Sequence, residues 1–171
     1  MFKKMLLVAS GVVVFGDING TNIVKNFKEA DSFSAQIMAE SDTTKAQKNI
    51  TLSIDSIADD NSMDSELRIG IIEKIKSDLS NDFPFITKYA EHTVSSIYAK
   101  SIGSSDINKN GLYEAGREAE LGLALLHSQE GRIQCLDIIL KAARLLKRYD
   151  ENSFDKEIKP FMKKNRLNSF L

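Results

Sequence analysis

Apolar residues recur at helical spacing along most of the chain, and the pattern is clearest between Leu136 and Tyr149. In this stretch they repeat every three or four residues, which indicates one buried face of a helix. The residues of that face are Leu136, Ile139, Leu140, Ala143 and Leu146. Ile138, Ala142 and Leu145 widen the apolar stripe, so we expect the helix to contact neighbours on two sides. Asp137, on the polar side, is placed to pair with Lys141 one turn later.

The helix preceding this one is rich in small residues. Its leucines alternate with Ala115, Gly116, Ala119, Gly122 and Ala124. A glycine inside a helix costs about 1 kcal/mol relative to alanine, so two of them predict the close approach of another backbone. Residues 128–131 favour a break that makes an antiparallel pair of helices, with Gly131 closing the first. A single helix running on to Tyr149 is the alternative.

Cap and breaker residues divide the rest of the chain into further amphipathic helices. The expected boundaries are a cap at Asn22, a break at Ser41 and Asp42, a polar break at 59–64, a start at Pro84, an end at Gly103 and a loop at 104–111. Segment 43–58 also alternates like a strand, but an isolated strand would have nothing to pair with. One short helix limited by Pro160 is expected in the tail. Six or seven such helices predict an all-α, single-domain bundle or orthogonal array.

The N-terminus resembles an export signal. Lys3 and Lys4 precede eleven uncharged residues, 5–15, which are too few to span a membrane and fit the apolar core of a secretory signal. We therefore expect residues 1–16 to be a signal peptide and 17–171 to be one helical domain, periplasmic or secreted. The alternatives are a buried first strand and an uncleaved anchor.

The chain has one cysteine, Cys135, which leaves no second cysteine for an internal disulfide. Its position beside the apolar face of the last long helix predicts a small buried side chain. An intermolecular disulfide is the alternative.

The segment from Asp106 to Glu114 matches the first part of a calcium loop. Oxygen-bearing side chains stand at positions 1, 3 and 5, and a glycine stands at position 6. The candidate ligands are Asp106, Asn108, Asn110 and Glu114. These residues resemble the loop of EF-hand and dockerin-type proteins, which implies calcium as the only candidate cofactor. Position 12 holds Arg117 where the family has a carboxylate, and a polar turn capping the next helix is the alternative interpretation.

Motifs of catalysis are missing from the sequence. His92 and His127 are the two histidines, and neither follows a glutamate at the spacing of di-iron helices. The chain has no zinc-binding spacing, phosphate-binding glycine loop or serine nucleophile elbow. The sequence therefore gives no catalytic residue.

Charge is uneven along the chain. Residues 141–171 hold nine Lys or Arg against four Asp or Glu, a balance of 9 − 4 = +5. An exported protein rarely meets nucleic acid, and no aromatic residues are interleaved for stacking. This segment is therefore expected to be a solvated helix face, or else to touch an acidic lipid or protein surface.

Taken together, these features predict an exported, non-catalytic helical protein that binds a protein partner, such as an immunity, adaptor or envelope accessory factor. Two other classes stay open. One is a cell-wall-acting hydrolase with dispersed acidic residues, and the other is a calcium-responsive binding module.

Overall fold

The computed structural model describes residues 24–103, 107–128 and 135–170, without the side chains of 107–110. Throughout these ranges the regular structure is helical and contains no strand, which confirms the all-α prediction. The long helices are α1 (Phe27–Ala39), α2 (Thr43–Asp59), α3 (Ser65–Leu79), α4 (Ile86–Ser101), α5 (Ile107–His127) and α6 (Leu136–Tyr149). The predicted signal segment lies outside the described residues. Among the described helices, none combines the length and apolar character needed to span a membrane.

Side-chain caps explain where three of the first helices begin. The carboxylate of Asp42 accepts a hydrogen bond from the Lys45 amide at 3.0 Å, and that of Asp64 accepts one from the Leu67 amide at 2.7 Å. The predicted breaks at Ser41–Asp42 and 59–64 are thus confirmed. For α1 the cap is Asn26, so this helix begins later than the sequence pattern suggested.

Segment 43–58 is helical, as predicted. Ile50, Ile54 and Ile57 are fully buried, whereas Leu52 is 64% exposed. A strand would have placed residues 50, 52 and 54 on one face. The exposure of Leu52 therefore shows that the helical periodicity, and not the alternation of a strand, governs this segment.

Both ends of α4 lie close to the predicted positions, whereas the start of α5 does not. Pro84 lies in the turn just before α4, and Gly103 follows its end with φ +68°, a conformation that glycine adopts without strain. The predicted loop at 104–111 is wrong in its second half, because the backbone is already helical from Ile107. Gly111 therefore lies within α5 rather than before it.

Helix α5 lies between two groups of buried side chains. The first is built mainly by α1–α4 and includes Ile50, Ile72 and Ile86. The second is built by α5, α6 and the tail. Leu121 of α5 packs against both groups, so this helix connects the two halves of the core.

Helices α5 and α6 form the predicted antiparallel pair, and α5 ends at His127. Residues with later numbers on α5 meet residues with earlier numbers on α6, as Gly122 does with Ile138 and Ala142. Gly131 lies outside the described residues. The predicted Asp137–Lys141 pair is wrong, because the Lys141 ammonium lies 2.6 Å from the Glu118 carboxylate of α5.

The tail continues helically through α7 (Glu151–Ser153), a π-helical turn (Phe154–Ile158), α8 (Lys159–Lys164) and a 3-10 turn (Asn168–Phe170). Pro160 stands in the first turn of α8, where its missing N–H is tolerated, so the prediction that it limits the helix is wrong. Ile158 and Met162 are fully buried in the second group of core residues. Cys135 is buried there too, as predicted.

Candidate binding groove

A groove of about 330 Å³ lies where α4, α5 and the end of α6 meet. Its apolar lining comes from two helices, and its volume is at the lower end of the range for ligand pockets. The apolar residues are Leu112, Ala115, Ala119, Leu145, Leu146 and Tyr149. Ala115, Ala119 and Leu146 are buried, whereas Leu112 and Tyr149 are each 50% exposed. The groove therefore has an apolar floor with two large exposed side chains on its lining.

The small residues of α5 make room for a histidine from α4. A Cβ placed on Gly116 would lie 2.6–2.8 Å from three atoms of the His92 ring, closer than real side chains approach. The same ring has Tyr113 beside it, with centroids 6.5 Å apart and planes tilted by 48°. The absence of a side chain at Gly116 therefore leaves the space that the imidazole of His92 fills.

His92 is half-buried, and its surroundings disfavour the charged form. Burial lowers its pKa from the ordinary value, and the positive charges of Lys88 and Arg117 act in the same direction. Glu91 opposes them. His92 forms no hydrogen bond with the described residues, so its interaction with Glu91 is through charge alone. The ring contributes a mainly neutral aromatic surface to the groove at neutral pH.

Two acidic residues of the groove lining differ in their partners. Asp150 accepts hydrogen bonds from the amide of Ser153 at 3.1 Å and from its hydroxyl at 2.6 Å, and these bonds lower its pKa. Glu120 is partly buried and has no hydrogen bond or ion pair with the described residues. Burial raises the pKa of Glu120, Lys88 opposes this, and Asp150 adds to it. Of these two carboxylates, that of Asp150 is hydrogen-bonded and that of Glu120 lacks a direct partner in the described structure.

A second polar cluster lies beside the groove and joins three helices. The Tyr89 hydroxyl of α4 donates to the Asp55 carboxylate of α2, with both oxygens 3.0 Å away. Arg117 of α5 also donates to Asp55, at 3.0 Å. Burial raises the pKa of Asp55 although Arg117 and Tyr89 act to lower it, and burial likewise raises the pKa of Tyr89. This cluster holds α2, α4 and α5 in register.

Most of the calcium ligands predicted from the sequence lie outside the part of the chain that the structure describes. Asp106 lies outside the described residues, as do the side chains of Asn108 and Asn110. Glu114 is exposed on α5. Within the described part of the chain, no three His, Cys, Asp or Glu residues are grouped to hold a metal ion. The calcium site stays a prediction, and Arg117, which stands at its twelfth position, pairs with Asp55.

Sequence reasoning missed both the groove and the cluster, since their residues lie far apart along the chain. The available signal was the run of small residues on α5, which predicted that another backbone approaches this helix closely. That prediction is confirmed at Gly122, where an added Cβ would overlap the Cβ of Ala142 and approach the carbonyl oxygen of Ile138 at 3.4 Å. At Gly116 the approaching group is the His92 side chain instead of a backbone. His127, at the end of α5, is exposed and lies 3.0 Å from Glu157.

Comparisons of the chain with protein-family models, with curated proteins and with solved structures found no match.

Proposed function

We propose that this chain is an exported, non-catalytic module that binds a protein partner in a bacterial envelope or secreted setting, with the groove between α4, α5 and α6 as its binding site. The observation that carries the proposal is the exposure of Leu112 and Tyr149 on the lining of an apolar-floored groove. Exposed apolar side chains around a groove are typical of an interaction surface, and tyrosine is enriched among the residues that anchor a partner. The signal-like residues 1–16 support the export part of the proposal.

Affinity capture from an envelope extract tests the binding site. The tagged protein is compared with Leu112→Gln, which replaces an apolar side chain of the groove by a neutral amide, and with Leu52→Gln, which makes the same change at an exposed site on α2. One stoichiometric partner is expected with the native chain and with Leu52→Gln. The Leu112→Gln protein should recover at least about fivefold less, because an apolar contact is lost and an amide is buried in its place.

Equal recovery with both variants would show that the partner binds elsewhere. Degradation of peptidoglycan by the purified protein would support the hydrolase class instead. The export part has its own test, since N-terminal sequencing of the protein from the producing cell should give a chain that begins near Asp17. A chain that still begins at Met1 would argue against a cleaved signal.

A further inference from the structure

Negatively charged side chains outnumber positively charged ones in the lining of the groove. Its carboxylates are Glu91, Glu120 and Asp150, whereas its one ammonium is that of Lys88. Three negative charges against one positive give a formal balance of 1 − 3 = −2, with His92 counted as neutral. A phosphate-rich surface, such as nucleic acid or acidic lipid, would be repelled from such a lining. A positively charged occupant would be attracted to it.

Among the acidic residues of the groove, Glu120 is the one that a bound cation would stabilise most. It is partly buried on α5 and has no direct partner among the described side chains. Burial disfavours its charged form, Lys88 offsets part of this effect, and Asp150 adds repulsion. The Asp150 carboxylate already accepts two hydrogen bonds from Ser153. A cation arriving between these two acids would therefore relieve an unfavourable arrangement, mainly at Glu120.

The apolar floor sets the second requirement. Ala115, Ala119 and Leu146 bury their side chains beneath the groove and offer surface to an aliphatic group. The Tyr149 ring is less free to receive a cation, because the guanidinium carbon of Arg148 already lies 5.1 Å from its centre. A cationic group would pair with the carboxylates, while an aliphatic group would fill the floor.

We infer that the groove binds a linear segment of a partner protein in which an aliphatic side chain stands next to lysine or arginine. This inference rests on the proposed function and names the chemistry of its partner. The aliphatic group lies on the alanine-rich floor, and the neighbouring cation reaches Glu120 and Asp150.

Four acetylated heptapeptides of equal length serve as probes. Three have a central leucine flanked by two lysines, two glutamines or two glutamates, and the fourth has a central serine flanked by two lysines. Binding to the full chain is measured by NMR titration at low salt. The lysine–leucine peptide should bind at least about fivefold more tightly than the glutamate peptide and than the serine peptide, as expected for partly exposed ion pairs and one buried aliphatic group.

Variants then locate the charge preference. Glu120→Gln should reduce the ratio of lysine-peptide to glutamate-peptide affinity by about threefold to fivefold. Glu91→Gln, at an exposed position on α4, should reduce it less, and it serves as the second variant if Glu120→Gln fails to fold. Glu66→Gln removes the same charge from an exposed position on α3, outside the groove lining, and should leave the ratio unchanged.

Equal affinity for the lysine and glutamate peptides, or no binding of any peptide at millimolar concentration, would overturn the inference. So would a ratio that neither groove variant changes. Failure of the proposed function is distinguishable from this. A captured partner whose contacting segment is acidic leaves the function standing and removes the inference alone. Failure to capture any partner counts against the function and therefore against the inference about the partner's segment as well.

Discussion

Helix α5 contacts its two neighbours in different ways. Against α6 it presents Gly122, whose backbone lies against Ala142 with no room for a further carbon atom. Against α4 it presents Gly116, which receives the ring of His92, and Arg117, which reaches Tyr89 through Asp55. The first contact is apolar and close to the backbone, and the second is made of polar side chains.

The difference shows that a glycine within a helix can serve two purposes. A backbone contact such as that of Gly122 allows no local adjustment, because moving one atom means moving a whole helix. A side-chain contact such as that of Gly116 can adjust by rotation of the histidine. The groove includes the adjustable contact, because Gly116 and His92 both belong to its lining, and a ligand there would meet a side chain that can rotate.

Gly122→Ala is expected to have the largest effect. The new methyl group would overlap Ala142, so the two helices must separate, and we expect a net loss of about 2–3 kcal/mol. This net loss already includes the gain of about 1 kcal/mol in helix propensity. Urea denaturation followed by circular dichroism would measure the loss.

A matched second substitution tests the cause of that loss. In the double variant Gly122→Ala with Ala142→Gly, the methyl group moves from one helix to the other and the overlap disappears. The double variant should be more stable than Gly122→Ala alone. Independent, additive losses from the two substitutions would argue against steric overlap at this contact.

On the polar side, Tyr89→Phe should cost about 1–2 kcal/mol. Tyr89 is only 4% exposed, and its hydroxyl is the donor from α4 to the Asp55 carboxylate. Tyr98→Phe on the same helix is the control, because Tyr98 is 55% exposed and its loss should stay within about 0.5 kcal/mol. Equal stability of the two variants in urea would show that the hydroxyl of Tyr89 does not stabilise the α2–α4 contact.

Local signals in the sequence account for much of the helical framework. Asp42, Asp64 and Gly103 end or begin helices through bonds and angles within a few residues, so their effect can be predicted from neighbours alone. The glycines of α5 predicted close contacts with neighbouring groups, but they did not identify His92 as the neighbour of Gly116. Which side chain meets Gly116 depends on how α4 lies against α5, and this is a tertiary property.

Polar partners were less predictable for the same reason. Asp55, Tyr89 and Arg117 come from three helices and carry no common motif. Lys141 had an acidic residue one turn away, yet its partner is Glu118 on the neighbouring helix. For an exposed lysine these alternatives differ by little free energy, so tertiary geometry selects between them.

Gly116→Ala should have a smaller effect than Gly122→Ala, although both add one methyl group. The His92 ring must rotate away, and the gain in helix propensity of about 1 kcal/mol compensates for part of the strain. In a His92→Ala background the strain is absent, so Gly116→Ala should stabilise the fold by about 0.5–1 kcal/mol. A double-mutant cycle in urea measures this coupling, and additive effects would show that the ring does not constrain Gly116.

The smallest expected effect is the acid sensitivity contributed by His92. Because burial lowers its pKa below the ordinary value near 6.5, the unfolded chain binds more protons than the folded chain between those two values. Stability should therefore be lost as the pH falls through 6.5 towards the lowered pKa, and Glu91, Lys88 and Arg117 are the charged groups that modulate it. Asp55 acts oppositely in its own, more acidic range, where its raised pKa makes protonation favour the fold.

Melting temperatures at pH 7.5 and 5.5 separate this contribution from the rest. His92→Gln should show a smaller decrease between the two pH values than the native chain, while Leu52→Gln, at a side chain that is 64% exposed and carries no charge, should keep the native decrease. An unchanged decrease in His92→Gln would mean that the imidazole reaches solvent freely. The side-chain contact at Gly116 would then be looser than its geometry indicates, and the contrast between the two sides of α5 would be greater still.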